Sequence, residues 1–73
     1  MPQLPVISGR EARRAFERAG WAFNRQKGSH MILIRAGTPV NLSIPDHREL
    51  DRGLLRGLIR DSGISVDEFR ALL

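Results

Sequence analysis

Arg25, Gln26, Lys27, Gly28, Ser29 and His30 form an unbroken run in which two cations and a histidine surround a Gly-Ser pair. Histidine is the side chain that exchanges a proton near neutral pH, its ordinary pKa being about 6.5. Cations beside it attract a phosphate and disfavour a further positive charge on the ring, and a neutral imidazole next to a phosphate is a competent general base. The run therefore fits a small RNA-cleaving site, with His30 catalytic and Arg25, Lys27, Gly28, Ser29 and Arg35 holding the phosphate. RNA carries its own nucleophile, the 2′-hydroxyl, so the chemistry calls for no metal and no cofactor. The same tripeptide also suits an ordinary hairpin turn followed by a surface histidine.

His47, the only other histidine, is a candidate second acid or base; Pro45-Asp46-His47 reads equally as a plain turn. Ser29 reads as a turn residue and not as a covalent nucleophile, since no Ser-His-acid arrangement is visible. Trp21 and Phe23 could stack on bases, but large residues after a helix stop favour the core.

The elements that must position this run can be traced along the chain. Ser8-Gly9-Arg10-Glu11 is a capping box, so a helix starts near Gly9, with Ala12, Ala15, Phe16 and Ala19 as its apolar stripe and Gly20 as its stop. Trp21 to Gln26, Met31 to Arg35 and Val40 to Ile44 read as three strands of an antiparallel meander, joined by Lys27-Gly28-Ser29 and Ala36-Gly37-Thr38-Pro39. Val40, Leu42 and Ile44 share one face, and Pro45 ends the third strand because it has no donor for a ladder. Leu54, Leu55, Leu58 and Ile59 mark a second helix from about Asp51 to Gly63, weakened by Gly53 and Gly57. Ser65-Val66-Asp67-Glu68 is a second capping box that opens a short final helix. The fold class is thus α+β: an α-β-β-β-α sandwich, a three-stranded antiparallel sheet with helices on one face and a short extra C-terminal helix. Met31-Ile32-Leu33-Ile34 is apolar on both faces, so the open face of the sheet is expected to be covered by another chain.

Composition narrows the function classes. Seventy-three residues suit one domain, 1–73, with one modest core. Without cysteine there is no disulfide framework, thiolate metal site or cysteine nucleophile. Met1-Pro2-Gln3-Leu4-Pro5 lacks the charged start and apolar centre of a signal peptide, and no stretch has the length of a membrane span, so a cytoplasmic location without membrane contact is expected. Eleven arginines and one lysine against eight carboxylates give a net charge of +4, a bias toward bidentate contacts with a polyanion. Arg10, Arg13, Arg14 and Arg18 on the first helix could follow RNA, although Glu11 and Glu17 among them also make an ordinary solvated face.

Gly20-Trp21, Arg25 to His30, Ile44-Pro45-Asp46-His47, Glu49-Leu50, Gly53-Leu54-Leu55-Arg56, Gly63-Ile64-Ser65 and Glu68-Phe69 occur in the order, and at the spacing, of the HicA (YcfA-like) toxin family. The likeness runs from about Ile7 to the C-terminus. It implies a fold like the double-stranded RNA-binding domain (dsRBD-like), and an mRNA interferase of a type II toxin-antitoxin system. It also implies a catalytic histidine at His30, a HicB-type antitoxin that blocks the activity, and indirect contact with operator DNA through that antitoxin. Leu54 stands where the family often has threonine, and Met31 to Ile34 where it often has aromatic or polar residues. A non-catalytic RNA-binding module, or a decayed toxin that only binds its antitoxin, would share these motifs.

Overall fold

In a computed structural model that describes residues 3–73, the order of elements is α1 (Gly9–Arg18), β1 (Ala22–Lys27), β2 (His30–Ile34), β3 (Leu42–Pro45), α2 (Arg52–Ser62) and α3 (Val66–Ala71). Met1 and Pro2, part of the N-terminal lead read from the sequence, lie outside the described residues. Local chemistry sets most helix ends. The Ser8 hydroxyl accepts from the Glu11 N–H at 3.1 Å while the Glu11 carboxylate accepts from the Ser8 N–H at 3.1 Å. Ser65 and Glu68 repeat the exchange at the start of α3. Each cap is worth about 1 kcal/mol. α2 starts differently: Asp51 accepts from the Leu54 N–H at 3.0 Å, and Gly63, with φ of 84°, closes the helix in the left-handed region. Gly53 sits in the first turn of α2 and Gly57 in its interior, where glycine costs about 1 kcal/mol relative to alanine.

The three strands pair antiparallel in the order β1-β2-β3. Met31 and Leu33 of β2 stand opposite Ile44 and Leu42 of β3, and these four side chains share one core with Ala12, Ala15 and Phe16 of α1, Leu55, Leu58 and Ile59 of α2, and Phe69 of α3. The helices therefore cover one face of the sheet and leave the other open, an α+β fold consistent with the dsRBD-like arrangement. α3 is anchored by Phe69, whose ring lies 4.9 Å from that of Phe16. Among the described residues no helix is long and apolar enough to cross a membrane.

One close approach fixes α1 against β3. A Cβ added at Gly9 would collide with the Pro45 carbonyl oxygen, so only glycine lets the helix start there. The Gly9 N–H donates to the His47 carbonyl at 2.9 Å, and the Leu50 N–H donates to Ile7 at 2.8 Å. The chain after β3 thereby wraps the start of α1.

The structure corrects three expectations. Val40 lies outside β3 and is exposed, because the connection from β2 runs on to Asn41 before pairing resumes. Phe23 is not core: its ring is 38% exposed and is covered by the Arg13 guanidinium 3.9 Å from its centroid, a cation–π contact. The open face is less apolar than β2 alone implies, since Ile32 is only 9% exposed and Ile34 is the apolar residue of β2 that stays exposed.

Candidate nucleic-acid interface

The turn between β1 and β2 is two residues long, Gly28-Ser29. Gly28 has φ of 60°, and among the described residues only glycines have positive φ, so Ser29 is on the ordinary side. Positive then negative φ is the pattern of a type II′ turn, which matches strand twist and favours glycine first. Both turn carbonyls are tied down. The Gln26 side-chain amide donates to the Gly28 oxygen at 3.2 Å, and the Asp46 N–H donates to the Ser29 oxygen at 2.7 Å. Among the described residues neither the Gly28 nor the Ser29 N–H donates to a partner within the chain.

Register decides which side chains flank this turn. Lys27 pairs with His30, Gln26 with Met31 and Arg25 with Ile32, but Phe23 pairs with Leu33 across a bulge at Asn24. Directly opposed residues share a face. Phe23 and Gln26 thus join Met31 and Leu33 on the helix face, whereas Arg25, Lys27, His30 and Ile32 share the open face. Without the bulge, strict alternation would place Arg25 with Phe23. Arg25 joins Lys27 and His30 by plain alternation, and the bulge, which has no sequence signal beyond the polar Asn24, turns Phe23 to the helix face. His30 itself is in the strand, exposed, opposite Pro45 on β3. Opposed Cα atoms in such ladders are about 4.5–5.5 Å apart, so Lys27 and His30 frame the same small patch.

The remaining predicted residues are placed as follows. Arg35 is not beside His30. It lies five residues further along the chain, about 16 Å at strand rise, with its guanidinium 4.6 Å from the centre of the Trp21 ring. Trp21 is 3% exposed, a core residue as its position implied, and its buried indole N–H has no partner among the described residues. His47 follows Pro45 by two residues; its carbonyl is taken by α1, and it lines a groove of about 340 Å³ with Ser8, Arg10, Asp46 and Arg48. Ser29 contributes its backbone to the turn.

Sequence reasoning missed Asp46 and Gln26, which hold the turn. The Arg10 Nε donates to Asp46 at 3.1 Å and Nη2 to its other oxygen at 3.4 Å. That hydrogen bonding holds the Asp46 carboxyl below the usual carboxylate range. Partial desolvation opposes it, while the Arg10 charge and the neighbouring Gln26 amide and His47 add to it. The same pair raises Arg10. Only pairing shows this, because Arg10 and Asp46 are far apart in sequence. Among the described residues no three metal-ligating side chains gather.

The patch can therefore do two things. It presents two cations and two free backbone donors to an anion, and it sets a titratable imidazole at the edge of that anion. A model of the family described as the HicA toxin of bacterial toxin-antitoxin matches residues 9–64, a span that includes this whole patch. No curated protein matches the chain.

Proposed function

The chain belongs to the HicA toxin family of bacterial toxin-antitoxin systems, and from that premise we propose that it is an mRNA interferase, an endoribonuclease with His30 as its proton-transfer residue. The observation that carries the reading is the shared face of His30, Lys27 and Arg25 beside a turn whose amides are free. The 2′-hydroxyl of the substrate attacks the adjacent phosphorus, the bond to the 5′-oxygen breaks, and a 2′,3′-cyclic phosphate remains. His30 takes the 2′-hydroxyl proton or supplies one to the departing oxygen. Lys27, Arg25 and the Gly28 and Ser29 amides offset the charge that builds on the phosphate. Residues 1–73 act as one domain in the cytoplasm, and Arg35 has no part in the step.

As a toxin the protein works against an antitoxin partner. We take that partner as HicB-type, seated on the open sheet face, where it would cover His30 and Ile34 together and mediate any contact with operator DNA. His47 is a turn residue in this reading. If it were the second acid or base, His47→Ala would remove one limb of the pH-rate profile.

Induced expression of wild type and His30→Ala without antitoxin, with total RNA followed on a gel, tests the proposal. Growth arrest and mRNA loss with wild type alone are expected. Equal toxicity would remove His30 from the mechanism, and equal harmlessness would leave a binding module or a decayed toxin.

A further inference from the structure

α2 carries arginine at every fourth position: Arg52, Arg56 and Arg60. At 100° per residue the three lie within an arc of about 80°, and at 1.5 Å rise they are spaced about 6 Å apart along the axis. All three are exposed, while Leu55, Leu58, Ile59 and Ser62 occupy the buried side. Among the described residues Arg52 and Arg56 have no ion-pair partner, and Arg60 has only its exposed neighbour Asp61 at 3.5 Å.

Beside this row run Gly53 and Gly57. An alanine methyl at Gly57 would meet nothing nearer than the Arg60 guanidinium at 3.8 Å, so packing does not require glycine there. Nor does the backbone, since neither has positive φ. Gly57 weakens the helix interior, whereas at Gly53, in the first turn, a methyl would come within 3.1 Å of the capping Asp51 carboxylate; Arg52 places a cation in that turn, where the helix dipole disfavours it. The first turn of α2 holds no acidic residue. Two features unfavourable to helix stability, Gly57 and Arg52, thus fall on one solvent face, a pattern expected where function and not folding sets the residue.

We infer that the Arg52-Arg56-Arg60 row is a second RNA-binding surface, on the helix side of the molecule away from His30, that takes a phosphodiester backbone with Gly53 and Gly57 allowing it to approach the helix. The ligand class rests on the ribonuclease reading above; the surface does not. Regularly spaced guanidinia match a polyanion through bidentate contacts. A protein partner would call for an apolar or aromatic anchor amid the charges; Leu54, the exposed large apolar side chain of α2, lies about 160° round the helix from the centre of the row. The row makes no base-reading contact by itself, so it fixes position and affinity without sequence preference.

The test uses a labelled single-stranded RNA oligonucleotide and full-length His30→Ala protein, so that binding is read without cleavage. Affinity is measured against salt with and without Arg52→Ala, Arg56→Ala and Arg60→Ala together. Each phosphate neutralised on a single strand contributes about 0.7 to the log–log slope, so the triple variant should lose about two units of slope. Lysine at all three positions should restore it. An unchanged slope, or no RNA binding by the parent, overturns the inference. An unchanged slope with weakened antitoxin affinity would reassign the row to a protein interface. If the wild type binds RNA through the row yet never cleaves it, the ribonuclease reading fails and this one stands; cleavage with row-independent binding gives the reverse.

Discussion

α1 and α2 are nearly equal in length and both are rich in arginine, yet their arginines serve different ends. On α1, Arg10 is forked onto Asp46, Arg13 pairs with Glu17 at 3.5 Å and covers Phe23, and Arg18 donates to the Leu72 carbonyl. Three of its four arginines thus tie the helix to the rest of the protein. α1 also has acid in its first turn and base in its last, the arrangement that suits the helix dipole. On α2, Arg52 and Arg56 touch no acidic side chain among the described residues, and glycines replace helix formers. Counting cations on a helix therefore says little about its role. What decides is whether the protein's own carboxylates and rings already occupy them.

If α1 is the helix that is held and α2 the one that is presented, truncation should expose the difference first in the core. Phe16→Ala empties a fully buried site against Phe69 and should lower unfolding stability by about 3–5 kcal/mol in urea titration. Glycine replacements sharpen the contrast because they should differ in sign. Gly9→Ala drives a methyl into the Pro45 carbonyl and should destabilise by about 2–3 kcal/mol. Gly57→Ala meets only ordinary contact and should stabilise by about 1 kcal/mol in the same titration. A loss of stability at Gly57 would mean that α2 is packed as closely as α1.

The smallest effect is electrostatic and belongs to α1 alone. Asp46 is held below its ordinary value in the folded protein. Its contribution to stability is therefore fully present above the unfolded carboxylate value, about 3.9, and is lost as pH falls through the lower folded value. Asp46→Asn should flatten that acid limb of a stability-versus-pH curve. A limb unchanged by the substitution would show that the Arg10 pair does not fasten the helix.

The parts of the fold legible in the sequence are those set by neighbours in the chain. Both capping boxes formed, Gly63 closed α2, and the Gly28-Ser29 hairpin placed Lys27 and His30 at its mouth, because each depends on residues within a few positions. What depends on distant partners was not legible. The bulge at Asn24 exists only through pairing with β2, Arg35 found the face of Trp21 at the opposite end of the strand from His30, and Phe23 was left at the rim because Arg13 arrives from α1. The candidate site was readable to the same extent: its turn and histidine from local order, its Asp46 and Gln26 supports only once the chain had folded.

The bulge at Asn24 also bears on how this protein tolerates change in its genetic sequence. Because side chains on a strand alternate, the assignment of Phe23 inward and Arg25 outward depends on the number of residues between them together with the bulge, not only on their chemistry. Replacing Asn24 with another polar residue keeps that count. Deleting it would remove the bulge instead: Phe23 and Arg25, now adjacent opposite the adjacent Leu33 and Ile32, would still face opposite ways. In the regularly paired part of β1, from Arg25 to Lys27, a three-nucleotide deletion would by contrast turn the residues on one side of it to the other face, a graver lesion than most substitutions.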